Sequence, residues 1–131
     1  MFTLEKIKAA HQKTKTGADF PQYIADIKEM GVTRYDVYVM NGMAIYFGDD
    51  EYTVESPPAY ENLLIEEKSS ATDLKEALKI HQQGETDYQT FCKQAAFAGV
   101  EKWITDLNAM TVTYLDMAGH ELVVENIPTV K

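Results

Sequence analysis

Two histidines and one aspartate are the side chains of this chain best suited to acid and base chemistry. His11 and His81 each stand seven residues after a leucine and each precede a glutamine, and Asp87 follows His81 by six positions. An imidazole titrates near neutral pH, so it can transfer protons, bind a ligand or coordinate a metal. Two histidines without a nearby third ligand make an incomplete metal site, so we predict no metal.

Both histidines also have a structural interpretation, because each lies at the C-terminal end of a predicted helix. An imidazole there bonds carbonyls that lack a helical partner and, when protonated, complements the helix dipole. Burying an imidazole in an apolar contact between helices is nevertheless unfavourable, since both of its nitrogens then need hydrogen-bond partners. We therefore predict that His11 or His81 lines a groove between helices or between halves, with Asp87 or a helix-end carbonyl orienting its second nitrogen. The competing interpretation is that both only anchor their helices.

Three residues on predicted strands complete the candidate ligand-binding set, namely Tyr35, Lys102 and Trp103. Aromatic side chains that project from a sheet into solvent would form a binding platform. The alternative is that these rings form ordinary cross-strand pairs. Cys92 falls where the first half has Ile24, so we predict a small buried hydrophobe rather than a nucleophile.

Apolar spacing predicts the elements that must position these residues. A period of 3.6 predicts amphipathic helices, and a change to a period of 2 predicts strands. Asn41-Gly42 is typical of a hairpin turn, because both central residues of a type I′ turn need positive φ. Four helices are predicted, over residues about 3–14, from the cap at Asp19 to the stop at Gly31, over 72–83 and over 87–98. Six strands are predicted, over 35–39, 43–47, 52–55, 101–107, 110–116 and 121–126.

The chain also contains an internal sequence repeat, in which residues about 2–58 resemble residues about 72–128. Gly31-Val32 returns as Gly99-Val100, and Val54-Glu55 returns as Val124-Glu125. An internal repeat indicates that the two segments form the same kind of structural unit and pack against each other. We predict one α+β domain over 1–131, a two-layer sandwich with an approximate two-fold axis, in which each half is helix, helix and three antiparallel strands. Residues 59–71 join the halves, and the short apolar run within them is compatible with either a strand or a helix.

The amino-acid composition of the chain argues against several classes of function. The formal charge of −9 opposes binding to nucleic acid and to anionic membranes. A single cysteine cannot form an internal disulfide, and no stretch approaches 18 apolar residues. The N-terminus lacks the apolar run of a signal peptide. We therefore expect a soluble, acidic, cytoplasmic protein, monomeric or homodimeric, whose partner is another protein or a small molecule.

Cofactor motifs are missing from the sequence. There is no glycine-rich phosphate loop, no Cys-x2-Cys pair, no His-Glu-x2-His helix and no Gly-x-Ser-x-Gly elbow. We predict no cofactor, and an enzyme would have to combine residues that only the fold brings together. The members best suited to that role are His81, Asp87 and Lys102.

The stretch from Lys79 to Cys92, continuing from Ala98 to Trp103, resembles a family of uncharacterised bacterial and prophage-borne proteins often labelled "phage envelope protein". The opening, with Gly17-Ala18-Asp19-Phe20-Pro21, is similar to the start of the same family. The resemblance spans essentially the whole chain and implies a prophage origin, but it assigns no catalytic or binding residue. An envelope component should span, anchor to or coat a membrane, and this chain has neither a spanning segment nor a basic amphipathic face.

Three functions follow in order of preference. The first is an accessory or interaction protein that binds a protein or small ligand through the sheet face or a groove between halves. The second is a small enzyme of unknown chemistry around His81 and Asp87. The third is a structural component of a virion.

Overall fold

The computed structural model describes residues 2–14 and 19–128. In it, the first helix of each half begins at a side-chain cap. The Thr3 hydroxyl accepts a hydrogen bond from the Lys6 amide at 3.3 Å, and the Ser70 hydroxyl accepts one from the Asp73 amide at 3.1 Å. These bonds satisfy amides that have no helical partner. The helices are α1 Leu4–Gln12, α2 Phe20–Glu29, α3 Ala71–Gln82 and α4 Tyr88–Phe97.

Six strands form one antiparallel sheet with the order β3-β2-β1-β4-β5-β6. Strands β1 and β4 pair at its centre, so each half contributes three neighbouring strands. The predicted α+β fold is confirmed, and the element order is the same in both halves. An origin by duplication stays a prediction. The strands are β1 Arg34–Tyr38, β2 Ala44–Phe47, β3 Thr53–Glu55, β4 Val100–Asp106, β5 Thr111–Asp116 and β6 Glu121–Asn126.

The helices pack on one face of this sheet. Ring contacts join Tyr23 of α2 to Tyr35 of β1 at 6.4 Å, and Tyr88 of α4 to Trp103 of β4 at 6.3 Å. Successive strand residues point to opposite faces, so the helix layer covers the face that carries Tyr35 and Trp103. Between the layers lie the largest fully buried side chains, among them Ile7, Ile24, Ile27, Leu74 and Leu107.

Residues 59–70, hereafter the connector, join β3 to α3 without forming a helix or strand. The apolar run at 63–65 therefore forms neither of the two elements that its pattern allows. The Leu63 amide bonds the Met40 carbonyl at 2.7 Å, and the Tyr60 hydroxyl donates to the Val39 carbonyl at 2.6 Å, so isolated bonds to the end of β1 hold this segment. The predicted helix break at Gly17 lies outside the described residues.

No helix in the described part of the chain is long and apolar enough to cross a membrane.

Candidate functional site

His11 lies where the two halves meet on the helix side. It is in the last turn of α1, and its ring makes edge contacts with Tyr23 of α2 at 5.3 Å and with Tyr88 of α4 at 6.4 Å. Its side chain stays partly exposed, but desolvation by its surroundings lowers the pKa of the imidazole. His11 is therefore neutral over more of the physiological range than a free histidine.

His81 is fixed by the loop between α3 and α4. Its Nδ1 lies 3.1 Å from the Thr86 carbonyl oxygen and 3.3 Å from the Thr86 hydroxyl, and its ring stacks on Phe91 at 4.8 Å. A carbonyl only accepts, so Nδ1 carries a proton in this bond, and Nε2 of the neutral ring is then an acceptor. A backbone carbonyl thus orients the ring.

Asp87 serves as the cap of α4 and makes no hydrogen bond to His81. Its Oδ1 accepts from the Thr90 amide at 2.7 Å. Hydrogen bonding to Thr90 lowers the pKa of the Asp87 carboxyl. The enzyme alternative placed unknown chemistry in the region of these two side chains, and each of them makes a local structural bond.

The other three candidates are divided between the two faces of the sheet. Tyr35 and Trp103 are buried under the helices, at 5% and 7% exposure. Lys102 follows the strand alternation to the opposite face, where its ammonium lies 5.6 Å from the centre of the Tyr38 ring. The structure therefore does not bring the six predicted binding residues onto one surface, and a ligand role for them stays a prediction.

A cluster of hydroxyl and thiol groups is buried between the layers. Cys92 is 0% exposed, as predicted, and burial raises the pKa of its thiol. The hydroxyls of Tyr60 and Tyr88 lie against this thiol. Tyr88 is 40% exposed overall, yet its buried hydroxyl has a strongly raised pKa because of desolvation. These groups stay protonated at neutral pH, so the cluster provides packing and neutral hydrogen bonding rather than a nucleophile.

Labelling of Cys92 measures this burial. We expect a thiol reagent at neutral pH to react with the native protein about a hundredfold or more slowly than with the urea-unfolded protein, since labelling requires an opening of the fold. Reaction at comparable rates in both states would contradict the packing and restore Cys92 as a nucleophile candidate.

Sequence reasoning missed the role of Asp116, a buried carboxylate at the end of β5. Its Oδ2 accepts from the Ser69 hydroxyl at 3.0 Å and lies 3.2 Å from His120 Nδ1, and its Oδ1 accepts from the His120 amide at 2.8 Å. These bonds, led by the His120 amide, lower the pKa of the Asp116 carboxyl. Although serine, aspartate and histidine meet here, the serine bonds the aspartate and not the histidine, so the serine–histidine bond of a catalytic triad is missing. Asp116 instead ties the connector to the β5–β6 turn.

Two shallow cavities lie at the edges of the helix layer. One of about 330 Å³ separates α3 from β6 and includes Lys79, Gln82 and Glu125, and one of about 460 Å³ runs between α1 and α2 beside Lys6 and Asp26. Neither contains His11 or His81. Among residues 2–14 and 19–128, no group of three histidine, cysteine, aspartate or glutamate side chains is placed to hold a metal ion.

The sheet face turned away from the helices, hereafter the open face, carries apolar side chains at several of its outward positions. Antiparallel sheets with one wet face normally alternate apolar residues inward with polar residues outward. Here the outward positions include six apolar or aromatic side chains, none fully buried, and Val124 is 52% exposed. These six side chains are Tyr38, Ile45, Phe47, Ile104, Leu115 and Val124.

An ion pair lies at the centre of the open face. Asp36 is paired in register with Ile45 on one side and Ile104 on the other, and it is 3% exposed. The Arg34 guanidinium donates to both of its carboxylate oxygens, at 3.0 and 2.9 Å, and lies 4.5 Å from the centre of the Phe47 ring. The two bonds together fix the guanidinium beside the carboxylate.

Comparison with known proteins places the chain by sequence. Residues 8–126 match the family model described as "Protein of unknown function (DUF1398)". The chain belongs to this family. It is also similar to the uncharacterized protein YcgX of Escherichia coli (strain K12), with 25% identity over 118 residues that cover 88% of this chain and 87% of that protein. The predicted membership of an uncharacterised family is confirmed, whereas the phage envelope label and a prophage origin stay predictions, since neither description mentions a phage.

Proposed function

We propose that this protein is a non-catalytic interaction protein that binds a folded protein partner on the open face. The observation that supports this most directly is the row of apolar side chains left without a covering layer in the described chain. Continuous exposed apolar surface is unfavourable in water unless a partner covers it, so it is typical of an interaction site.

The shape of the open face favours a protein over a small ligand. Six strands about 4.8 Å apart make the face about 29 Å wide, and five residues at about 3.4 Å each make it about 17 Å long. A small molecule needs a concave site that surrounds most of its surface. A footprint of about 500 Å² is below the roughly 800 Å² that each partner buries in a standard interface, so we expect a transient contact.

Charges on the open face are of both signs and would orient the partner. Arg34 pairs in register with Asp106 of β4, Lys102 pairs with Tyr38, and Glu55 of β3 pairs with Ile45. Exposed charges of both signs contribute specificity and association rate more than affinity. Because the whole chain carries a charge of −9, a neutral or basic partner is favoured over a second copy.

Photocrosslinking in cells of the native host tests this proposal. Thr113 pairs in register with Ile104 and Val124, so a benzoylphenylalanine there lies between two apolar side chains of the open face. We expect one discrete protein adduct from this position. The matched control is the same group at Glu76, an exposed residue of α3 in the helix layer, which should give none. Adducts only from position 76, or from neither, would contradict the proposal.

A further inference from the structure

Four large apolar side chains are exposed at one end of the molecule. Leu64 of the connector is 85% exposed and Phe97, the last residue of α4, is 71% exposed. Met40, beyond the end of β1, and Met117, beyond the end of β5, are 43% and 45% exposed. We call these four side chains the connector patch, which is distinct from the open face.

Hydrogen bonds to the connector bring these residues to the same end. Met40 accepts from the Leu63 amide at 2.7 Å, Ala96 beside Phe97 accepts from the Glu66 amide at 3.0 Å, and Asp116 beside Met117 accepts from the Ser69 hydroxyl at 3.0 Å. From residue 63 to residue 69 the chain reaches at most about 21 Å. Each patch residue is therefore in the connector or adjoins a residue bonded to it.

The patch is held in place rather than formed by a loose loop. At Gly99, the residue after α4 and Ala98, an added Cβ would lie 2.6 Å from the Ser69 Cα, so the two backbones are in direct contact. The Ser70 amide also bonds the Ala98 carbonyl at 2.8 Å. A preformed apolar surface loses little conformational entropy when a partner covers it.

Acidic side chains surround Leu64. Glu61, Glu66 and Glu67 are all exposed, and none of them has an ion pair within the described residues. Lys68 is the only cation of the connector sequence. The charge next to the patch is therefore negative, as is that of the whole chain.

We propose that the connector patch docks a basic amphipathic helix of another protein. Such a helix carries an apolar stripe at positions i, i+3, i+4 and i+7, which would cover Leu64 and Phe97, and its lysines and arginines would meet the flanking glutamates. The two methionines adapt their shape to different apolar partners. A second copy of this chain is disfavoured because both copies would bring the same acidic rim.

A synthetic peptide tests this proposal with the full chain. The probe is a fluorescein-labelled 18-residue helix of leucine and lysine with leucine at i, i+3, i+4 and i+7, followed by fluorescence anisotropy. We expect it to bind the wild type, to bind Leu64→Ser and Phe97→Ser at least tenfold more weakly, and to show a weaker salt dependence in the double variant Glu66→Gln/Glu67→Gln. Val124→Ser, the same kind of change on the open face, should bind as the wild type does. All five substituted positions are exposed, and circular dichroism checks that each variant folds.

Several results would overturn the proposal. Equal binding of a leucine and glutamate peptide with the same leucine pattern would exclude charge recognition. Equal affinity across all variants would show non-specific attraction to an acidic protein, and absence of binding to the wild type would exclude the site. A dimer in sedimentation that Leu64→Ser dissociates would identify a second copy as the occupant.

Discussion

Replacing Gly99 with alanine is expected to destabilise the protein by about 3–5 kcal/mol, from backbone strain and overpacking together. Gly99 has a φ of +86°, in the left-handed region that alanine adopts only with strain. An added Cβ would also stand 2.6 Å from the Ser69 Cα and 3.1 Å from the Glu66 carbonyl oxygen. These are backbone atoms, so rotation of a side chain cannot relieve the contact and the connector itself must move.

Gly119→Ala is the matched control for that experiment. Gly119 has a φ of +84° but nothing within 4 Å of its added Cβ, so it reports the conformational strain alone, about 1–2 kcal/mol. Free energies of unfolding from urea titrations should therefore differ clearly between the two variants. Equal losses would mean that the connector does not press against Gly99 and that the connector patch is not preformed.

The second large effect is expected at the ion pair of the open face. Arg34→Met should destabilise the protein by about 2–3 kcal/mol, because it leaves the carboxylate of Asp36 beneath an apolar side chain without its counter-charge. The expected loss is below that of a fully buried pair, since the Arg34 side chain is 45% exposed and that of Asp36 is 4% exposed. Thermal and urea unfolding measure this loss.

The double variant Arg34→Met/Asp36→Val supplies the control. Two apolar residues of similar volume leave no unpaired charge and pack against each other, so most of the lost stability should return. If the double variant is as unstable as the single one, the loss arises from packing of the Arg34 stem on Phe47 rather than from the unpaired carboxylate. In that case the ion pair contributes little and the open face is held by apolar contacts.

Local sequence patterns predicted the elements because their signals are short-range. The apolar period of 3.6 predicted a helix at 72–83, and α3 spans Ala71–Gln82 with a cap at Ser70. The alternation before Asn41-Gly42 predicted a strand at 35–39, and β1 spans Arg34–Tyr38. The helix depends on a cap and on an apolar period of 3.6 among neighbouring residues. The strand depends on the alternation of apolar and polar residues.

Contacts between distant residues were beyond the reach of the same patterns. The bond from Ser69 to Asp116 joins positions 47 apart, and the side chains of both residues look like ordinary turn residues in the sequence. The apolar run around Leu64 was compatible with a strand or a helix, whereas it forms neither and Leu64 itself is exposed. The open face depends on β1 pairing with β4, which the order of elements alone does not specify.

The affinity of the crosslinked partner for open-face variants tests the central claim most directly. With the partner purified, isothermal titration calorimetry compares the wild type with Val124→Asp, which places a charge at the most exposed apolar position of the open face, and with Leu64→Asp as the matched change at the connector patch. We predict at least tenfold weaker binding for Val124→Asp and unchanged binding for Leu64→Asp. Unchanged affinity for Val124→Asp would contradict the assignment of the open face as the binding surface.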